Sequence, residues 1–563
     1  MNKILALLLC AVLTLSYAAF PVNAAESTEN TGVIYEKTPA ENGQSVAIVL
    51  SDAGITVDGG GETATVFTSH DIVYYQDLDA YESGNPYGEG SDKDKHTSEE
   101  ADAHTVVNIT TPGTYRVSGT LSAGQIRIDL GEDAESDPEA VVNLILDNAD
   151  ITCTVAPAIV FKNVYECDGD RTTENATPDV DTTEAGANLI LAMDSVNTVH
   201  GSYVAKVYKD NDQQKKLVKQ DGAVYSYMSM NVDGCGSLDI YAENEGLNSE
   251  MHLTICNGTI CIRSQDDGIN TNEDGVSVTT ILGGDVHIIA GLGGEGDGID
   301  SNGYLVIRGG RVVASANPAS DSGLDSDMGS YIHGGTVIAM GSTMDWAESD
   351  SEQVTMNLQF AAYQTSAIVV TDETGNVIFA YDPAKDEVLA ENARKYQGAV
   401  ISCRDFEVGQ TYQLFLGGNL IGVESCGFYA KDTTCTDGTD QMYTGSDLRS
   451  HGGFGGREMP GNFDPNSMGG GMKDQRGNGF ENGHRQDGGF GEMGTPPEMP
   501  EGMGGMTPPE MPEGLEDMTP PEMPGDGDVP FRGIDQTGDN AEGSTEFYMQ
   551  DKVNAFTGIR DAE

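Results

Sequence analysis

Gly246-Leu247-Asn248-Ser249-Glu250, Gly268-Ile269-Asn270-Thr271-Asn272, Gly298-Ile299-Asp300-Ser301-Asn302 and Gly323-Leu324-Asp325-Ser326-Asp327 write one pentapeptide four times: glycine, aliphatic residue, acid or amide, hydroxyl, acid or amide. A looser copy, Gly222-Ala223-Val224-Tyr225-Ser226, precedes them, and the five are spaced 24, 22, 30 and 25 residues apart. A second element follows each copy, with turn glycines Gly236, Gly258, Gly284, Gly310 and Gly335 spaced 22, 26, 26 and 25. The connection between the elements varies while each element does not, which is how loops behave.

Behind each turn glycine the residues fall into columns. Leu238, Ile260, Val286, Val312 and Val337 hold one position, and Ile240, Ile262, Ile288, Ala314 and Ala339 stand two residues on. Between them lie Asp239, Cys261, His287, Val313 and Ile338. Period-two alternation puts the first two columns on one face of a strand, the core face, and the mixed column on the other. A single unit of this length cannot bury its apolar face, whereas stacked units share a continuous core. The expected fold is all-β, a parallel β-helix. Helical repeats would need amphipathic stretches with few glycines, and leucine-rich repeats need a leucine and asparagine spacing that is missing. Gly293-Gly294-Glu295-Gly296-Asp297 approaches a nine-residue calcium repeat, but once and out of register.

The coils are expected to begin earlier, because Asn143-Leu144-Ile145-Leu146 returns as Asn188-Leu189-Ile190-Leu191 after 45 residues, read as about two coils. Acidic insertions at roughly 78–104, 131–140 and 166–186 read as solvated surface loops. From about Asn357 to Val423 the pattern turns hairpin-like, with Ala367–Thr371 and Asn376–Tyr381 joined through Glu373-Thr374-Gly375, and predicts a small antiparallel unit beside the last coil. Beyond Cys426 the chain becomes rich in Gly, Met and Pro, and Thr-Pro-Pro-Glu-Met-Pro recurs from Thr495, Thr507 and Thr519. Such a stretch cannot bury enough surface to fold and reads as a disordered spacer or partner-binding arm. Phe547–Ile559 regains apolar residues that suit docking back onto the body.

The expected boundaries are a signal peptide at 1–24, a linker at 25–45, the β-helix at 46–346, its β-rich cap at 347–425, the tail at 426–545 and a short terminal segment at 546–563. Lys3, the apolar run Ile4–Leu15 and Val22-Asn23-Ala24 have the layout of a secretory signal. The expected localisation is therefore extracellular, with cell-surface association compatible; Leu9 before Cys10 argues against a lipid anchor. No further apolar span is foreseen in the mature chain. The remaining eight of the nine cysteines permit disulfides, with Cys235–Cys256 and Cys426–Cys435 the pairs suggested by position and free thiols the alternative. With 91 acidic against 29 basic side chains and a net charge of -62, nucleic acid and anionic membranes are excluded as partners, while divalent cations or polymers bridged by them fit.

Four segments together carry a resemblance: Gly113-Thr-Tyr115-Arg-Val-Ser-Gly119-Thr-Leu-Ser-Ala-Gly-Gln125-Ile-Arg-Ile-Asp129, Asn143-Leu-Ile-Leu-Asp147-Asn-Ala-Asp150-Ile, Asp221-Gly-Ala-Val-Tyr225 and Asp266-Asp-Gly-Ile-Asn270. Over roughly residues 46–425 the chain resembles the secreted bacterial carbohydrate-binding-domain family. That resemblance implies a right-handed parallel β-helix akin to pectate lyases, bound calcium, and binding of acidic polysaccharide such as polygalacturonate, with cellulose a further ligand. It establishes no catalysis. The acidic insertions, 78–104 above all, depart from the family pattern and bear on the ligand more than on the fold.

The residues point to calcium independently. Stacking aligns Glu245, Asp267 and Asp297, then Asn248, Asn270, Asp300 and Asp325, then Glu250, Asn272, Asn302 and Asp327. Strands about 4.8 Å apart bring column neighbours nearly that close. Two carboxylates at that distance repel by about 3.5 kcal/mol at an effective dielectric near 20. Calcium takes six to eight oxygens at about 2.3–2.6 Å and would offset this. The candidate ligands are Asp266, Asp267, Asn270, Asn272, Asp297, Asp300, Asn302, Asp325 and Asp327, against the plainer reading of local Asx turns.

No catalytic residue is assigned. A uronate lyase would need a base and cationic groups, for which Arg263, Arg308 and Arg311 are candidates, although salt-bridging to the acids is their expected role. His252, His287 and His333 fall in different columns and are expected at the surface; Trp346 is expected to cap the core. Tyr225, Tyr241, Tyr304 and Tyr331 suit a sugar groove or the edge of the stack. The function expected is non-catalytic binding of acidic polysaccharide with calcium. The alternatives are a calcium-dependent uronate lyase and a cell-surface or matrix scaffold for protein partners.

Overall fold

A computed structural model describes residues 45–59, 66–75, 94–205, 219–342, 345–390, 394–447 and 543–562. The signal segment, nearly all of the 25–45 linker, most of the 78–104 insertion and the Thr-Pro-Pro-Glu-Met-Pro repeats lie outside the described residues. The described residues are almost all β, with a short helix at Ser98–Asp102 and a 3-10 turn at Glu132–Ser136.

Each repeat contributes a strand to each of three rows. Glu245–Ser249, Leu253–Ile255 and Thr259–Ser264 are followed by Ile269–Thr271, Val278–Ile281 and Asp285–Ile289, and then by Ile299–Ser301, Tyr304–Ile307 and Arg311–Ser315. Every strand pairs in parallel with its counterpart one repeat later. The first row starts upstream, through Thr105–Ile109, Gly124–Asp129, Ile159–Asn163 and Gly222–Ser226. The second row ends at Gly329–Ile332 and the third at Thr336–Gly341.

The register matches the apolar columns residue for residue. Leu238 faces Ile260, then Val286, Val312 and Val337, and Ile240 faces Ile262, then Ile288, Ala314 and Ala339. All ten side chains are fully buried. Burying each Leu or Ile removes enough apolar surface for about 1.5–3 kcal/mol, and stacking makes these contributions continuous. The turn glycines bend the backbone where other residues are strained: Gly284, Gly310 and Gly335 have φ of 85°, 79° and 91°. Gly268 is needed for space, since a Cβ there would lie 2.5 Å from the carbonyl oxygen of Gly298 in the next repeat.

Several expectations are corrected. Val142–Leu146 pairs directly with Ala187–Leu191, so the 45-residue return spans one repeat, lengthened by the 166–186 insertion. The middle of that insertion, 169–181, is a surface loop with no buried residue, as expected, while its two ends are anchored against the second row. Thr182 and Glu166 are buried; the Thr182 hydroxyl is hydrogen-bonded to Asn231 Oδ1 at 2.8 Å, which accepts, and to the Thr254 hydroxyl at 2.7 Å, and Glu166 accepts from the Ser229 amide and hydroxyl at 2.7 Å each. The strap covers polar outward residues of the second row, Asn231 and Thr254, and supplies the hydrogen-bond partners that their burial demands. All eight described cysteines are free, including Cys235, Cys256, Cys426 and Cys435.

After the last repeat, Tyr396–Ser402 pairs antiparallel with both Thr336–Gly341 and Thr355–Gln364, and Val553–Asp561 lies parallel to Thr355–Gln364. Ile368–Asp372 and Val377–Tyr381 form the hairpin, flanked by Thr411–Leu416. The tail does not begin at 426, because Phe428–Tyr429, Thr434–Thr436, Thr439–Met442 and Gly445–Asp447 are strands that pair with this unit. Short polar strands need little apolar content when an existing sheet supplies the pairing, which is why composition missed them. Trp346 packs, partly buried, against the main core. No helix of the described residues is long and apolar enough to cross a membrane.

Candidate functional site

The first row sets the site. Leu247, Ile269 and Ile299 point into the core with no exposure. The next residues, Asn248, Asn270 and Asp300, are register partners on the opposite side. Leu324 bridges to Ile299, which carries Asp325 into the same column. Upstream the column continues through Tyr225, Val160 and Arg127.

Amides and acids alternate around this column. Asn270 Nδ2 donates to Glu245 Oε1 at 3.1 Å and to Asp267 Oδ2 at 3.3 Å. Asn248 Nδ2 donates to the other oxygen of Glu245, and Asn272 Nδ2 donates to Asn248 Oδ1 at 3.3 Å and Glu250 Oε1 at 2.9 Å. Tyr225, wholly buried, gives its hydroxyl proton to Glu250. Asp267 Oδ1 accepts the Asp297 amide at 2.7 Å, and Asp297 Oδ1 the Ser322 amide at 2.5 Å. Asn270 Oδ1 is buried and has no hydrogen-bond partner. An orphaned carbonyl-type oxygen among carboxylates is an acceptor set awaiting a cation or donor.

Electrostatics point the same way. Burial, then the charges of Asp300, Asp266, Glu245 and Asp297, push the Asp267 carboxyl well above its ordinary value. Burial, then Asp297, Asp325 and Asp327, do the same to Asp300, and burial with Asp221 does so to Glu245. Burial raises Asp266 to about 6 and Asp297 to about 7. Asp345, after the last repeat, is raised to about 8 by burial and by Asp325. A basic group stands at one end, where Lys219 Nζ lies 2.8 Å from Asp221. Asp327 is raised more modestly and is exposed; Asn302 donates to the Asn272 carbonyl at 2.9 Å and to Asp274 at 3.2 Å.

The structure therefore gathers Asp266, Asp267, Asn270, Asp297, Asp300 and Asp325 into one electrostatic cluster and leaves Asn272, Asn302 and Asp327 along its flank. Among the described residues no three His, Cys, Asp or Glu side chains converge as a preformed metal cage. The closest contacts are acid to amide, with asparagines interleaved between carboxylates. Hard oxygen donors of both kinds suit calcium, and the orphaned Asn270 oxygen fits it. Asp345 was not legible beforehand because it lies outside the repeat.

The other candidates resolve differently. Arg263, Arg308 and Arg311 are engaged by Asp239, Asp179 and Asp285. His252 and His287 are buried, which corrects their surface assignment. His252 accepts the Val278 amide at 3.1 Å, and burial pushes its pKa down to about 4. His287 contacts Asp386 at 2.5 Å and Asp285 at 2.7 Å. Against the downward push of burial, those two acids raise it to about 9. The reason is that the C-terminal unit covers the outer face of the late third row, packing Ile289, Val313 and Ile338 into a second core.

A family model of carbohydrate-binding domain-containing proteins matches residues 103–403, more than half of the chain and the whole first row from Thr105–Ile109 onward. The chain belongs to this family. A carbohydrate-binding domain-containing protein of Acetivibrio thermocellus is 28% identical over 178 residues, 31% of this chain and 51% of the relative. The chain thus spans about half the length of the curated relative it matches. A solved structure described as a polysaccharide lyase-like protein from C. thermocellum, a gadolinium derivative, aligns with a TM-score of 0.29 and 20% identity, covering 52% of this chain and 92% of its own.

Proposed function

We infer that this chain is an exported, non-catalytic carbohydrate-binding protein, its three rows wound as a right-handed parallel β-helix. It holds acidic polysaccharide through calcium shared between the first-row acids and the polymer's carboxylates. The observation that carries the reading is the run of buried Glu245 and Asn270 with half-buried Asp267 and Asp300, with mutually raised carboxyls and an orphaned amide oxygen, inside the family-matched region. Asp266, Asp267, Asn270, Asp297, Asp300 and Asp325 would hold the ions, with Asn272, Asn302 and Asp327 at the rim. Bound calcium supplies positive charge that neutralises the carboxylates and leaves coordination positions for a polyanion. The protein's own part is to fix the oxygens by stacking and to keep them out of bulk water.

The test is calcium titration of chelator-stripped protein, followed by retention on polygalacturonate and on cellulose with ultraviolet detection of unsaturated product. Calcium-dependent retention without absorbance is expected. Rising absorbance makes the protein a uronate lyase instead. Absence of retention on either polymer overturns the carbohydrate reading in favour of a protein-binding scaffold.

A further inference from the structure

The outer face of the third row carries its own column. Thr152, His200, Tyr241 and Arg263 hold one register position in four successive strands. Because neighbouring strands are about 4.8 Å apart, flat groups at such a position stack. The His200 and Tyr241 rings lie 4.5 Å apart at 9°, and the Arg263 guanidinium sits 5.0 Å from the Tyr241 ring centre. One strand further the position is Ile289, buried under the C-terminal unit. The column is planar and polar where that unit leaves it open.

The stack lines a groove of about 350 Å³, bordered also by Thr154, Glu243, Gln265 and Leu292. Tyr241 keeps 37% of its surface exposed. On the far side of His200 the strand carries Thr152, which has no ring to cover that imidazole face. Asp239 lies 3.4 Å from Arg263, and Glu243 is exposed beside them, accepting the Ser202 hydroxyl at 3.3 Å. Among the described residues at the groove the Arg263 guanidinium is thus matched and exceeded by two carboxylates, which disfavours an anion. A hexose ring has an apolar C–H face that suits an aromatic plane and a hydroxyl edge that suits carboxylate acceptors and guanidinium or amide donors.

We propose that this groove is a second carbohydrate subsite that takes a neutral hexose polymer lying along the stack, one ring against His200 and its hydroxyls on Glu243, Gln265 and Arg263. The assignment rests on the carbohydrate-binding reading above but not on calcium. The experiment is calorimetric titration of full-length protein with β-1,4-linked glucose and mannose hexamers and with an oligogalacturonate, in calcium and in chelator. A neutral hexamer is expected to bind in chelator. Its affinity should fall at least tenfold in Tyr241→Ala and severalfold in Glu243→Gln, with calcium-dependent oligogalacturonate binding unchanged in both. Glu243 is exposed, so Glu243→Gln decides the matter if Tyr241→Ala melts early. Neutral binding unaltered by both substitutions overturns the proposal, as does binding of oligogalacturonate alone by the wild-type chain. Failure of every sugar to bind overturns the carbohydrate reading itself.

Discussion

Two regions bury carboxylates and treat them oppositely. At the first row, Glu245, Asp267 and Asp300 are pushed upward by burial and by one another. Where the C-terminal unit meets the third row, Asp285 is held down to about 2 despite burial, by hydrogen bonds from His287 and Arg311, and Asp386 is lowered by His287. Burial is common to both; the difference is the partner. The third row receives Asp386 from 99 residues away and so builds a closed acid–histidine–acid–arginine network. The first row has acids and amides on every neighbouring strand, which leaves charge for something outside the chain to balance.

The largest effect should come from opening the closed network. Asp386→Ala leaves a buried imidazolium with one partner, and breaking such a pair costs about 3–5 kcal/mol, read as a lowered urea midpoint. The first row should answer calcium instead. At a hundredfold excess over its dissociation constant, calcium should stabilise by about 2.7 kcal/mol, read as a raised melting temperature. Asp267→Asn with Asp300→Asn should abolish that gain yet raise stability in chelator, the reverse of the third-row result. A destabilised double variant in chelator would break the comparison.

pH sharpens it. His287 is raised from 6.5 to about 9, so its contribution is complete below pH 6.5 and is lost as pH rises through 9. Asp285 is lowered from 3.8 to about 2, so its contribution is complete above pH 3.8 and is lost as pH falls through 2. In chelator, the stability difference between wild type and Asp386→Ala should shrink as pH rises from 7 to 9.5. A difference that is flat over that range would mean the imidazole is neutral. The smallest effect belongs to the exposed Arg308–Asp179 pair, where Arg308→Ala should cost about 0–1 kcal/mol in a urea titration.

The inward columns and the acid–amide columns were readable before any fold, because strand alternation and turn glycines are local and the repeat multiplies the signal. The mixed column, Asp239, Cys261, His287, Val313 and Ile338, grows apolar along the stack, which matches the cover over its far end. The repeat that carries His200 is stretched by an insertion, so its alignment with Tyr241 shows in the strand register and not in the sequence spacing.

By itself, then, the sequence determined the strand face that builds the core, the spacing of the stack and the row that carries the acids, all consequences of chain geometry within one repeat. Only the tertiary structure decided which acids find cations, where the 166–186 strap lies, and which part of the third row stays open. Those outcomes depend on segments up to roughly a hundred residues apart meeting at one surface, and contacts between different elements leave no period for a sequence to display.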